Sequence, residues 1–137
     1  MSLKALPLIV ISFIMYNAVV LLGGGTDPAA VLGRQVFPLP LMTTTLWLTW
    51  GDLLILLTLG LLFIELMKAT YTSSASLLDH GLSMIVFVAC LIEFLLVKGA
   101  GTSVFFFITV ATLIDVMAGY SIGIRVAKRD VSFGSDN

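Results

Sequence analysis

Four stretches of this chain run apolar for about twenty residues each, and its polar residues gather in the short segments between them. The stretches cover residues 5–22, 46–67, 77–97 and 103–124. A helix needs ~20 predominantly apolar residues to cross the hydrocarbon core of a bilayer. The pattern therefore predicts an all-α integral membrane bundle of four transmembrane helices in one domain, residues 1–131, with a disordered tail at 132–137. The first stretch carries no charge and is followed by three glycines rather than a small-residue cleavage pattern, so it is expected to stay as an uncleaved span.

The breaks have local causes. Glycines 23–25 end the first span. Asp27-Pro28 has the form of an N-cap followed by proline at the first helical position, and predicts a short interfacial helix through Gln35, stopped by Pro38 and Pro40. Ser76 and Asp79 have capping-box spacing at the start of span three. Lys98-Gly99-Ala100-Gly101-Thr102 predicts a tight hairpin in which Thr102 caps span four.

Four spans place both termini on one side. Lys4, Lys68, Arg125, Lys128 and Arg129 fall on that side, against Arg34 and Lys98 on the other, so the positive-inside rule puts the termini in the cytoplasm. Trp47 and Trp50 then mark the outer aromatic belt.

Composition supports lipid as the solvent. The chain of 137 residues is 59% hydrophobic and 11% charged, where soluble domains carry about 25% charged residues. Mean hydropathy is +1.13. A net charge of -1 without a basic patch excludes nucleic acid as a partner. The single cysteine, Cys90, excludes an internal disulfide, and the single histidine excludes a bis-histidine haem site within one chain.

Charged residues inside the spans are the candidate chemistry, because a carboxylate at the bilayer centre costs ~2.5–3.5 kcal/mol on insertion scales. Asp115 lies ~18 Å into span four, near the midplane, where Asn17 of span one is expected to meet it. Asp115, Gly119 and Gly123 recur every four residues on one face, and the two glycines predict a close helix crossing. Asp115 reads either as interhelical glue or as part of a proton or cation relay. Asp52 and Glu93 are both expected ~8–10 Å below the outer face on neighbouring antiparallel spans, where they would share a proton or a cation, or be neutralised by Lys98. Glu65 and Lys68 read as a solvated i, i+3 pair, and Asp79, His80 and Arg125 as interfacial polar residues. The methionines at 15, 42, 67, 84 and 117 read as packing residues, and Phe105, Phe106 and Phe107 as lipid or subunit contacts.

No nucleotide-binding glycine pattern, nucleophile set or metal-ligand motif is present, so no cofactor, metal or catalytic residue is expected. The segments LLILLTLGLLFIELMK (residues 53–68) and TLIDVMAGYSIGIRVAKRD (112–130), with IMYNAVVL around Asn17, the Gly51-Asp52 pair and SASLLDH (74–80), resemble small four-span inner-membrane proteins of alphaproteobacteria. That group has no established activity, so the resemblance implies a bacterial inner membrane and transfers no site residues. The expected role is non-enzymatic: association, as a homo-oligomer or as an accessory subunit of a larger membrane complex, with membrane lipids around it. A small cation- or proton-coupled channel, and a lipid- or quinone-binding protein, are the alternatives.

Overall fold

The computed structural model describes residues 6–71 and 77–135. The chain is mostly helical. Helices α1 (Val10–Leu22), α2 (Pro28–Leu32), α3 (Trp50–Tyr71), α4 (Leu77–Leu96) and α5 (Ser103–Ser135) are joined by short connections, with a 3-10 turn at Lys98–Ala100 before α5. Between α2 and α3, strands β1 (Gln35–Pro40) and β2 (Thr45–Thr49) pair antiparallel. Two helical stretches among the described residues are long and apolar enough to cross a membrane, Trp50–Thr70 and Ser103–Ile122; Val10–Leu22 and His80–Leu96 are shorter apolar helices.

Helix α1 starts later than its apolar run. Residues 7–12 form i→i+3 turns, with Val10 N–H donating to the Pro7 carbonyl and Ile11 N–H to that of Leu8, before the regular helix takes over. At the other end Gly24 turns the chain with φ +69°, a conformation that favours glycine. Asp27 accepts from Ala29 N–H and caps α2, as expected.

Helix α2 stops at Leu32, and residues expected to continue it, or to begin span two at 46, form the hairpin instead. Pro38 faces Trp47 and Pro40 faces Thr45 across the ladder. Proline supplies no N–H, so it fits a strand only where that group would point away from the partner. Alternating at 38 and 40, the two prolines remove donors from the free edge of β1 and leave the pairing with β2 intact. Strand β2 runs directly into α3. Thr49 N–H donates to Asp52 Oδ2 at 3.0 Å, and Asp52 N–H donates to Thr49 Oγ1 at 3.2 Å, a reciprocal capping box. The Ser76–Asp79 box lies outside the residues whose side chains are described. Thr102 Oγ1 accepts from Phe105 N–H and caps α5 as expected. Helix α5 continues past residue 124 to Ser135, through residues expected in the tail.

Packing corrects one neighbour relation. Helix α5 packs against both α3 and α4 and lies between them, so the second and third apolar stretches are not the adjacent pair their short connection suggested. The close crossing of α5 and α3 is at Gly51, where a Cβ would come 2.8 Å from Val104 Cγ2 and 3.4 Å from the Leu32 carbonyl oxygen. At Gly119, where a close crossing was expected, a Cβ would meet nothing within 4 Å. The surroundings of Gly123 lie outside the description. The core gathers Tyr16, Leu54, Cys90, Phe105 and Ile108. Phe105 is fully buried, against the expectation for the phenylalanine cluster; Phe106 and Phe107 do face outward. The five methionines expected to pack inside are exposed.

Gly51→Ala is expected to lower the thermal midpoint in mild detergent by the equivalent of about 1–3 kcal/mol, the usual cost of overpacking. Gly60→Ala, with nothing within 4 Å of its Cβ, is expected to be neutral or to gain up to ~1 kcal/mol of helix propensity. Equal effects of the two would refute the assignment of the crossing.

Candidate functional site

Helix α1 carries only three polar side chains, Ser12, Tyr16 and Asn17, and each bonds to a different part of the fold. Their spacing puts them on one side of the helix. Ser12 and Thr58 of α3 are both buried, with their hydroxyls 2.9 Å apart and Thr58 Oγ1 also 2.7 Å from the Leu54 carbonyl. Tyr16 donates to the Gly99 carbonyl at 2.8 Å, and its oxygen lies 2.7 Å from Thr102 Oγ1. Its ring meets Phe105 edge-on at 4.8 Å. Asn17 Nδ2 donates to its own helix at the Phe13 carbonyl, 2.9 Å, and to Glu93 Oε2 of α4, 3.3 Å.

The ends of α1 are satisfied from outside as well. The helix has no side-chain cap at its start, no acid in its first turn and no base in its last. Glu65 Oε1 of α3 accepts from Leu8 N–H at 2.5 Å, and Arg34 Nη1 donates to the Gly23 carbonyl at 2.6 Å. An acid thus stands at the positive end of the helix dipole and a cation at its negative end.

These bonds reassign most of the expected site. Asn17 does not pair with Asp115: it sits five residues from the end of α1, ~8 Å deep, and partners Glu93 at a similar level. Asp52 and Glu93 do not share a site either, since Asp52 is exposed and caps α3. Lys98 is exposed in the 3-10 turn and forms no ion pair with Glu93. Glu65 is 3.6 Å from Lys68, but it is a largely buried anchor for Leu8 rather than half of a solvated pair. His80 lies edge-on to Tyr120 at 5.5 Å, and Arg125 is exposed on α5. The Asp79 side chain lies outside the described residues.

Asp115 is buried at 5% exposure, and its Oδ2 has no hydrogen-bond partner among the described residues. It lies within hydrogen-bond reach of Ser83 on α4 and within electrostatic reach of Glu65 and Lys68 on α3. Three helices therefore bring two carboxylates, one ammonium and one hydroxyl to the level at which α1 begins. On the hairpin side, Ile9, Leu62 and Ala111 form an apolar layer, packed by Val86 and Leu66. Among the described residues no group of three or more His, Cys, Asp or Glu is placed to hold a metal ion.

Sequence reasoning missed Ser12, Tyr16, Thr58 and Ser83. The Ser12–Tyr16 spacing of four was a legible signal for one of these faces. The partners of the four were not legible, because they lie far along the chain: Ser12 and Thr58 pair across 46 residues, Tyr16 reaches Thr102 across 86, and Ser83 meets Asp115 of the following helix.

Tyr16→Phe strands the Gly99 carbonyl inside the bundle and is expected to cost about 1–3 kcal/mol, read as a lower thermal midpoint in detergent. Asp52→Ala removes one exposed cap and is expected to cost about 1 kcal/mol. A larger loss for Asp52→Ala than for Tyr16→Phe would contradict this ranking. Compared with known proteins, the chain matches no family model, and no curated protein or solved structure is similar to it.

Proposed function

We propose that this chain is a four-span protein of the bacterial inner membrane, termini in the cytoplasm, which works without catalysis, by association, as a homo-oligomer or as an accessory subunit of a larger membrane complex. The inside-out distribution of side chains supports lipid as its solvent. Ser12, Thr58, Thr109, Thr112 and Asp115 are buried, whereas Ile14, Leu56, Phe63, Ile85, Leu95 and Met117 are exposed. All four apolar helices share that apolar exterior, including the two shorter ones. Helix α4, at 20 residues, has a length of ~30 Å, that of a hydrocarbon core. The turn at Pro7 lengthens α1 toward the same span.

The observation that carries association is the hairpin. Between Arg34 and Asp52 the chain has no charged residue. Phe37, Leu41, Met42, Leu46 and Trp47 stand exposed on it, Met42 completely. A two-stranded ribbon is marginal in water without a further layer against its apolar side chains. This one is held in shape by its ladder, by the Trp50 N–H to Arg34 carbonyl bond and by the capping box below it. The prolines of β1 oppose extension of the sheet by another strand, which leaves docking on the face as the mode of contact.

The wild-type protein is expected to run above monomer mass in mild detergent, either when produced alone (a homo-oligomer) or only when taken from its native membrane (an accessory subunit). Phe37→Glu with Met42→Glu should return it to monomer mass with unchanged helical circular dichroism. A monomer from both sources would overturn association. Cysteine labelling that places the two chain ends on opposite sides would overturn the four-span topology.

A further inference from the structure

The polar cluster at the start of α1 is not needed for association, and it is built unlike the other buried polar contacts of the chain. Ser12, Tyr16, Asn17 and Thr58 all find partners. Asp115 leaves one buried carboxylate oxygen without any. An acceptor buried in this way is costly unless a donor or a cation reaches it. An alkali or divalent ion needs a cage of several oxygens. Among the described residues the polar groups acting on Asp115 are the Ser83 hydroxyl and, at electrostatic range, Glu65 with the Lys68 ammonium beside it, which is no such cage. A proton needs one acceptor atom, and Oδ2 supplies it.

On the hairpin side of the cluster, Ile9 follows Leu8 directly, and Leu62 and Ala111 lie about one turn from Glu65 and Asp115; the three form an apolar layer packed by Val86 and Leu66. Toward the end where α1 begins, Lys68 stands beside Glu65, and His80 meets Tyr120 edge-on.

Occupancy has a consequence for α1. Glu65 holds the Leu8 N–H and the Lys68 ammonium with the same oxygen, Oε1. With a proton on Asp115 the acid is neutral, and Glu65 faces one cation and one amide. Without it a second negative charge stands within reach of Glu65 and competes for the same donors. We propose that Asp115 is a proton-binding site and that its occupancy sets how firmly Glu65 anchors α1.

Infrared difference spectroscopy of the protein in oriented vesicles, with isotopically labelled aspartate, reads the site directly. A carboxylic-acid stretch that titrates with pH, and that disappears in Asp115→Asn, is the expected result. Hydrogen exchange at Leu8 should lose protection roughly tenfold as the band is lost, the size expected for a bond to a charged group. In Asp115→Asn the protection should no longer depend on pH, and in Glu65→Gln it should be low throughout. If Asp115→Asn does not assemble, Asp115→Glu should keep a titrating band, now outside the aspartate label. No titrating aspartate band in the wild type, or Leu8 protection indifferent to pH in the wild type, would each overturn the proposal. Neither the band nor the Leu8 exchange depends on the spanning topology proposed above, so detergent samples separate failure of this proposal from failure of that reading.

Discussion

A helix with no charge of its own, placed in an apolar surrounding, must borrow every polar partner from elsewhere, and α1 does so at five points. Both of its ends leave backbone groups without intrahelical partners. Glu65 comes from α3 to one end and Arg34 from the loop to the other. Its three polar side chains then reach α3, the turn before α5, and α4. Each bond would be nearly neutral in water, where the alternative partner is solvent. In the lipid surroundings proposed above there would be no such alternative, and the bonds would decide position as well as stability. With Tyr16 buried in the core, these bonds account for how a helix of 13 residues is fixed among three longer ones.

The same constraint orders the rest. Thr109 and Thr112 return their hydroxyls to carbonyls within α5, which lets that helix pass buried between α3 and α4 without needing a partner at those positions. Gly51 removes the one side chain that would hold α3 and α5 apart at the hairpin end. Aromatic packing around Phe105, with Tyr16, Phe13 and Phe94, fills the volume those close approaches enclose. Polar satisfaction and tight packing are thus concentrated at the hairpin end. The opposite end holds the uncompensated Asp115.

Much of the helical layout was legible because it rests on local signals. The Asp27-Pro28 start and the Thr102 cap are chemical statements about adjacent residues, and both hold. The hairpin was not read because Pro38 and Pro40 signal only where a helix stops; that they also suit one edge of a strand depends on which way their nitrogens face. The Thr49–Asp52 box is present in the sequence, but a span beginning at residue 46 places Asp52 inside it as a buried acid, and the helix begins four residues later. Asn17 was misplaced by the same kind of error at Pro7. Long-range pairing failed for a different reason: a short connection between spans two and three says nothing about whether a later helix inserts between them.

These errors bear on what a charged residue in a hydrophobic sequence signifies. Of the acids counted as intramembrane, Asp52 is a helix cap, Glu93 holds Asn17 and Glu65 holds the first turn of α1. Each has a bond that accounts for its presence structurally. Insertion cost alone therefore does not distinguish function from architecture, since architecture meets the same cost with a partner. What separates Asp115 is the absence of a partner for Oδ2 where the surrounding helices place apolar atoms on one side and a second acid on the other. A sequence that needed only glue at this position had asparagine available, and uses it at Asn17. An ionisable group with an open acceptor retains what asparagine lacks, the capacity to gain and lose a charge beside the bond that anchors α1.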